Sequence, residues 1–458
     1  MKIRIMTLRL WFCFLFVSIF SFAQVNDKET IFTHVNLITM ENDQVLEDYS
    51  VLIRNESIVL IGKTESVKVP SGALVIDGTG KYLVPGIAEM HAHIPGISRG
   101  KEYIEETLFL YISNGITTIR GMLGEPYHLE LKKDVAEGRT LGPRIYTSSP
   151  SMNGNTVRTI EEAQEKVIKY HAQGYDFLKI HPGIKLEVFN EMVATANKVG
   201  IPYSGHVPVD VGIRRAIESR YGSIDHIDGY LEGLVPKSKN VDPSSNGFFG
   251  FNFTNIADEG LINELVTMTK SNNVWIVPTQ SLMERWAGDQ TAEDLAKDPE
   301  MKYISKNTLN SWVNAVSDFQ NGDDYQAETA VRFNEIRRKL IKELHDGGVG
   351  ILLGSDAPQI FNVPGFSIQN ELHYMVSSGL TPYEALQTGS VNPARFFGQE
   401  NEYGMIKPGY SADLVLLKSN PLDNIAAFRE NDGVMVRGKW ISGTEIQRNL
   451  ELIAEKYK

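Results

Sequence analysis

The sequence has 458 residues, enough for one large domain or two domains of ordinary size. Its composition, 42% hydrophobic and 22% charged, is typical of a globular protein, and no charge run or low-complexity tract indicates disorder. The formal net charge of −12 argues against nucleic acid as a partner.

The first 23 residues have the layout of a secretory signal peptide. Lysine and arginine side chains precede an apolar run over 10–20, and the segment ends with small residues at Ser21 and Ala23. A membrane anchor is the alternative, but this run is too short to span a bilayer comfortably. We therefore expect cleavage after Ala23 and a periplasmic or secreted protein with no membrane contact after cleavage.

Cys13 is the only cysteine in the chain, and it lies inside the expected signal peptide. The mature protein would then have no disulfide, so its stability must come from its core. It would also have no thiolate ligand, so any metal must be held by histidine, carboxylate or a less common group.

Both ends of the chain have a strand-like pattern. Residues 29–85 alternate β-branched and polar residues between Asn, Gly and Pro, and the stretch after 402 repeats this texture. We predict that residues 24–85 and 402–458 pair into one small β-sandwich domain.

Between these ends, short apolar runs alternate with longer amphipathic patterns. Eight β/α units in one sheet predict an α/β fold of the (β/α)8 TIM type over 86–401, with its site at the carboxyl ends of the strands. The first predicted strand ends at His91, and the other seven runs are 115–122, 143–150, 175–183, 200–208, 222–230, 273–280 and 349–358.

The segment over about 235–335 is longer than the loops of such a barrel require. It contains an aromatic stretch, "SSNGFFGFNF", and a polar helical region around Trp286 and Trp312. Loops of this length shape a pocket or an interface, or else decorate the outer ring of helices.

Polar residues stand at the ends of several predicted strands. One such histidine alone is more often structural than a ligand, but the joint pattern indicates a divalent metal site, since imidazole and carboxylate are the ligands available without thiolates. The residues in this pattern are His91, His93, His206, His226 and Asp356.

Lys179 is the unusual member of the strand-end set, because apolar residues flank it in "FLKIH". It could be a buried lysine paired with a carboxylate. Burial would also depress its pKa and leave a neutral amine, which can take up CO2 to form an anionic carbamate with two oxygens.

The motifs resemble those of the amidohydrolase superfamily from about residue 30 to the end. "YLVPGIAEMHAH" resembles its Pro-Gly…His-X-His entry, and "GITTIR" resembles its second-strand motif. "LTPYEALQTGSVNPARFFG" and "GMIKPGYSADLVLL" are similar to its C-terminal motifs. The chain most resembles the imidazolonepropionase-like and Xaa-Pro dipeptidase-like group, which implies a barrel with a β-sandwich and a two-metal site.

The resemblance implies a role for each strand-end residue. His91, His93 and Asp356 would hold the more buried ion, and His206 and His226 would hold the other. The implied cofactors are two divalent metal ions, with Zn²⁺ expected, and a CO2-derived carbamate on Lys179 that bridges the ions together with a hydroxide. Asp356 would also be the catalytic acid and base.

Three further residues are candidates for substrate binding. His181 and Tyr230 could orient the substrate, with a structural role as the alternative for each. Arg120 could pair with a substrate carboxylate, although a structural ion pair is the stronger interpretation. Gly121 stands where the family usually has Asp, and "IHPG" follows the lysine in place of a small polar turn, so the substrate is not carried over.

These residues predict a metal-dependent hydrolase that cleaves the C–N bond of a dipeptide or N-acyl amino acid. A lactonase or phosphotriesterase is the enzymatic alternative, because a metal-activated hydroxide also attacks esters. A non-catalytic binding protein on the same barrel is the alternative from another class. The expected partner is a small-molecule substrate, and a homo-oligomer stays open.

Overall fold

The structure is a computed structural model that describes residues 28–458, which form a mixed α/β fold. The expected signal peptide, residues 1–23, and Cys13 within it lie outside the described residues. None of the helices in the described part is long and apolar enough to cross a membrane.

The described residues contain fifteen named strands and fifteen named α-helices. The strands are β1 Glu29–Leu37, β2 Leu46–Arg54, β3 Ser57–Lys63, β4 Leu74–Asp77, β5 Tyr82–Pro85, β6 Ile87–Ala92, β7 Ile116–Gly121, β8 Arg144–Thr147, β9 Leu178–Ile180, β10 Tyr203–Gly205, β11 Ser223–Asp225, β12 Trp275–Val277, β13 Leu414–Leu417, β14 Asn431–Val436 and β15 Lys439–Ser442. The helices are α1 Lys101–Ser113, α2 Pro126–Ala136, α3 Ile160–Gln173, α4 Leu186–Val199, α5 Gly212–Glu218, α6 Tyr230–Gly233, α7 Ile262–Ser271, α8 Gln280–Ala287, α9 Ala292–Leu295, α10 Lys306–Gln320, α11 Ala327–Asp346, α12 Ser367–Ser377, α13 Pro382–Gly389, α14 Val391–Phe396 and α15 Gly443–Glu455.

The helix boundaries follow ordinary capping chemistry. Thr159 precedes α3 and accepts a hydrogen bond from the Glu162 N–H, and Gly174 ends the helix in the left-handed conformation. Thr381 and Glu384 form a reciprocal capping box at the start of α13. These signals explain why the helix positions could be read from sequence patterns.

Strands from both chain ends share one sheet. Its order is β15-β14-β13-β5-β1-β2-β3, with β4 paired to β1, and β13 runs antiparallel to β5. A separate apolar core, which includes Phe32, Val51, Leu83 and Met435, packs this sheet. The pairing of β5 with β13 therefore ties residues near the start of the described chain to residues near its end.

Two parallel sheets carry the middle of the chain. One has the order β6-β7-β8 and the other β12-β11-β10-β9. Isolated parallel bridges join Ser148 to Phe177, Ile276 to Ile351, and Ala92 to Ala357. The carboxyl ends of the strands within each sheet consequently lie at a common edge.

The expected strand over 349–358 is not a continuous strand in the structure. The stretch pairs at single residues, where Leu352 N donates to Ile276 O and Met90 N donates to Leu353 O. Asp356 adopts a positive φ of 66°, which lies outside the β region and prevents continuous pairing at this end. The stretch nevertheless lies beside both β12 and β6.

Candidate metal centre

Three short strands bring four histidines to one place. His91 lies in β6 and His93 follows it by two residues, so both side chains leave the same face of the chain. His206 and His226 come directly after β10 and β11. At Gly205, φ is +131° and a Cβ would lie 2.3 Å from a backbone oxygen of β9, so glycine permits the close pairing that places the next residue.

His91, His93 and Asp356 form the tightest group. Asp356 Oδ1 lies 2.6 Å from His93 Nε2 and 3.5 Å from His91 Nε2. One ligand atom from each residue lies within 4.8 Å of the others, and His91 and Asp356 are buried. Three nitrogen and oxygen donors thus converge where a divalent cation fits.

His206 and His226 lie beside this group, and each is oriented by a hydrogen bond at Nδ1. The Nδ1 atoms lie 3.1 Å from Asp228 Oδ2 and 2.8 Å from Thr279 Oγ1, respectively. The two rings are 4.6 Å apart, and the His226 ring is 4.5 Å from that of His91. Engagement of Nδ1 leaves Nε2 available as a ligand atom, as is usual for metal-binding histidines.

Asp225 connects Arg120 to His91 and Lys179 within the cluster. The sequence patterns did not identify it. Its Oδ1 accepts a hydrogen bond from Arg120 Nη2 at 3.0 Å. Its Oδ2 lies 3.1 Å from His91 Nδ1 and 3.7 Å from Lys179 Nζ. Its position could have identified it, because Asp225 is the last residue of β11 and immediately precedes His226.

The donor set fits a divalent cation. Within residues 28–458, the buried atoms His91 Nδ1, Lys179 Nζ and Asp225 Oδ2 form no hydrogen bond of good geometry, although the first and last lie only 3.1 Å apart. Buried polar atoms are rarely left in this state unless a water, an ion or a functional requirement accounts for them. Imidazole and carboxylate donors without thiolate suit zinc and related divalent ions.

Burial and neighbouring charges shift the pKa values of the ionisable groups in the cluster. Burial lowers the pKa of Lys179, although the nearby Asp225 carboxylate opposes the shift. Burial disfavours charge on Asp225, but Arg120, Lys179 and His226, with a hydrogen bond from Ser223, together outweigh it and lower the pKa of that carboxyl. Burial likewise opposes ionisation of Asp356, and the imidazoles around it, His91 first, hold its pKa well below the usual range.

His181 is brought to the edge of the cluster. Its ring stacks on that of His206 at 5.1 Å, and its Nδ1 lies 2.8 Å from Ser151 Oγ. Burial, together with the charge on Lys179, lowers the pKa of His181 to about 2, so the ring is neutral at physiological pH. A neutral imidazole in this place can donate or accept one hydrogen bond at its other nitrogen.

Tyr230 and Arg120 occupy structural positions. The Tyr230 side chain is fully buried and its hydroxyl is 2.7 Å from Thr269 Oγ1, so α6 turns it away from the expected substrate side. Arg120 is also fully buried and donates to Met90 O and Ser223 Oγ as well as to Asp225. Each of the three guanidinium nitrogens of Arg120 donates a hydrogen bond within the protein. The structure therefore favours the structural ion pair over a contact with a substrate carboxylate.

Glu89 is a second residue that sequence patterns missed. It lies below His91 in β6 and accepts hydrogen bonds from the His91 N–H at 3.0 Å and the Ser355 N–H at 2.8 Å. Burial raises the pKa of Glu89 to about 8. This carboxyl fixes the backbone on both sides of the cluster, because Ser355 precedes Asp356.

Comparisons with known proteins agree with this geometry. A model of the amidohydrolase family matches residues 82–441. The chain is 22% identical over 417 residues to an imidazolonepropionase of Idiomarina loihiensis, covering 84% of this chain and 90% of that protein. It is 20% identical over 487 residues to an ochratoxinase of Aspergillus niger, covering 90% and 86%. A crystal structure of a Xaa-Pro dipeptidase with bound methionine in the active site superposes with a TM-score of 0.64 at 19% identity, covering 91% of this chain and 100% of the other.

Proposed function

The chain belongs to the amidohydrolase family of hydrolases acting on carbon–nitrogen bonds, and from this premise we propose that it cleaves the amide bond of a dipeptide or an N-acyl amino acid. The observation that carries the proposal is the buried convergence of the His91, His93 and Asp356 ligand atoms within 4.8 Å. The Xaa-Pro dipeptidase name of one structural neighbour supports the choice of substrate class.

The proposed scaffold is a (β/α)8 barrel over 86–401 beside a β-sandwich built from 24–85 and 402–458. The parallel bridges between Ser148 and Phe177, and between Ala92 and Ala357, support closure of the two parallel sheets into one barrel. Export, with a signal peptide at 1–23, is part of the proposal and is supported by the sequence pattern alone.

The proposed cofactors are two divalent ions, with Zn²⁺ expected. His91, His93 and Asp356 would hold one, and His206 and His226 the other. When bound, such ions supply a water of lowered pKa and polarise a carbonyl oxygen. The buried amine of Lys179 has no hydrogen-bond partner among the described residues and a pKa lowered by burial, which supports carboxylation by CO2 to give an anionic ligand with two oxygens.

The chain's own residues would carry the proton chemistry. Asp356 Oδ2 would accept the proton of the attacking water and deliver it to the leaving nitrogen, because this low-pKa carboxylate stays ionised in the resting site. Gln359 Nε2 donates to the same oxygen at 3.2 Å and would hold it in place. His181, held by Ser151, would donate a hydrogen bond to the substrate from its free ring nitrogen.

A substrate screen tests the proposal. Purified, zinc-supplemented protein is offered dipeptides, N-acyl amino acids, esters and lactones, and free amino acid or acid is measured by mass spectrometry. We expect turnover of dipeptides or N-acyl amino acids that stops on chelation and returns with Zn²⁺. Turnover of only esters or lactones would replace the proposal with the lactonase alternative, and ligand binding without turnover would favour a binding protein.

A further inference from the structure

An aromatic segment lies directly against the second pair of histidines. The ring of Phe249 is 5.3 Å from that of His226 and 5.9 Å from that of His206. Phe249 is half-buried, so part of its ring remains open beside these candidate ligands. It belongs to the 3₁₀ segment Phe248–Ile256, within the long stretch that a barrel fold does not itself require.

The backbone at Phe249 is unusual for a bulky residue. Its φ is 47° and ψ is 39°, in the left-handed region that phenylalanine rarely adopts. Gly250 follows with a φ of 83°, and a Cβ there would lie 2.8 Å from the Leu231 Cβ. Strained conformations of this kind persist only where the surroundings impose them, and they cluster at ligand-binding sites.

Further aromatic rings support Phe249 from behind. Phe248 meets it edge-on at 4.8 Å and also lies 5.0 Å from Trp286 and 5.2 Å from Phe319. Trp286 and Phe319 are themselves 5.6 Å apart. We call these four residues the aromatic wall. All four are half-buried, so the wall is a partly open apolar surface that begins at the candidate ligands.

The acidic side chain nearest to Gly250 is engaged in a hydrogen bond within the protein. Glu232, the nearest described acidic group to Gly250, accepts a hydrogen bond from Asn246 Nδ2 and is buried under the segment. The face that adjoins His206 and His226 therefore presents an aromatic ring. An aspartate or glutamate side chain of a substrate, placed against this ring, would lose hydration without gaining a hydrogen bond from it.

We propose that the aromatic wall, with Phe249 at its edge, is the subsite that selects substrates with an apolar, ring-bearing side chain beside the scissile bond. The inference rests on the proposed function for the identity of the reaction. The wall itself requires only that ligands bind beside His206 and His226. Aromatic side chains would stack on Phe249, and aspartate or glutamate side chains would be excluded.

Kinetics on paired substrates test the subsite. Phe249→Ala is expected to lower kcat/KM for an N-acyl phenylalanine by about 10- to 100-fold, mainly through KM, and to leave the N-acyl glycine analogue within about twofold. Phe251→Leu is the matched control, because Phe251 packs on Phe319 and Phe333 away from the histidines. Phe251→Leu should leave kcat/KM unchanged for both substrates. An equal loss on both substrates in Phe249→Ala would overturn the proposal.

Two further measurements separate this proposal from the reaction and from folding. Calorimetric titration of the zinc-loaded protein with 3-phenylpropanoate and propanoate, which have no bond to hydrolyse, should show at least about tenfold tighter binding of the aromatic acid, lost in Phe249→Ala. Phe249→Gly should keep or raise the melting temperature relative to Phe249→Ala, because glycine tolerates the positive φ. Equal affinity for the two acids in the wild type would contradict the subsite even if amide hydrolysis is found, whereas the expected preference without hydrolysis would fault only the reaction.

Discussion

The two ends of the short parallel strands differ in chemistry. At the carboxyl ends, ionisable side chains crowd together, and Lys179 and Asp225 keep atoms without hydrogen-bond partners in the described chain. At the amino ends of β9–β12, a cavity of about 780 Å³ is lined by six aromatic rings together with polar residues. There Tyr146 stacks on Phe397 at 3.6 Å, and Trp275 meets Phe396 edge-on at 5.9 Å.

Left-handed backbone conformations, in contrast, occur at both ends: Arg220 and Asn273, which line the amino-end cavity, have φ values of 63° and 55°. His226, Thr279 and Asp356, which follow strand ends on the carboxyl side, have φ values of 64°, 48° and 66°. Each such conformation costs about 1–3 kcal/mol in a residue other than glycine. The difference between the two ends therefore lies in their side chains, because buried polar atoms without hydrogen bonds gather where the candidate ligand atoms converge. Substitutions at the two ends should differ accordingly in their effect on activity.

The largest expected effect is at Asp356. Asp356→Asn keeps the size of the side chain but cannot accept a proton, so kcat/KM on the substrate found by screening should fall by about 10³-fold or more. The metal-free variant should still unfold cooperatively in urea, with a reduced free energy of unfolding, because the surrounding imidazoles stabilise the ionised carboxylate in the folded state.

Asp176→Asn is the matched control for that variant. Asp176 lies at the amino-end cavity and accepts hydrogen bonds from Lys132 and the Thr147 N–H. Asp176→Asn should therefore lower the free energy of unfolding and leave kcat within about threefold of the parent value. Parent-level hydrolysis by Asp356→Asn would show that Asp356 does not carry the proton.

The converse experiment removes packing at the amino ends. Phe396→Ala takes away a half-buried ring that contacts Trp275 and lies 5.2 Å from the Arg120 guanidinium. We expect the free energy of unfolding to fall by about 2 kcal/mol, less than for a fully buried ring, with kcat/KM within about twofold. A large loss of activity at unchanged stability would contradict the division between the two ends.

A smaller effect should appear one layer behind the carboxyl ends, at Glu371 in α12. Burial raises the pKa of Glu371 to about 7, although it accepts hydrogen bonds from the Gln280 and Ser281 N–H groups. The folded state thus binds this proton more tightly than the unfolded state. The stability it contributes is complete below about pH 4.5 and is lost as pH rises through about 7, by at most about 1.4 kcal/mol per pH unit.

Glu371→Gln should flatten that dependence. Urea unfolding of the variant and the parent between pH 5 and pH 8 measures the two slopes, and we expect the parent to lose stability faster with rising pH. The same slope in both proteins would mean that Glu371 is ionised in the folded state across this range.

Residue patterns predicted the parts of the fold and site that depend on local spacing. His91 and His93 were found because two residues of separation place both on one strand face, and Lys179 because apolar residues flank it. The α/β alternation predicted seven of the eight middle strands, with 349–358 pairing only at single residues. Each of these features depends only on residues close to one another in the chain.

The remaining parts depend on contacts between distant segments. Asp225 meets Arg120 across a separation of 105 residues, and Glu89 meets Ser355 across 266 residues. Phe249 lies against the histidines in a left-handed conformation. Tyr230 was expected to orient the substrate, yet the short helix α6 directs its hydroxyl to Thr269. Helical and strand periodicity describes only neighbouring residues, so it cannot predict these contacts.

Metal content tests the central claim most directly. Elemental analysis of the purified, extensively dialysed protein should find about two divalent ions per chain, and Lys179→Met should lower that number. His373→Asn is the control, because this histidine lies on α12 away from the cluster and its loss should leave the metal content unchanged. A parent protein that holds no divalent metal after zinc supplementation, or a Lys179→Met variant that binds as much as the parent, would contradict the account.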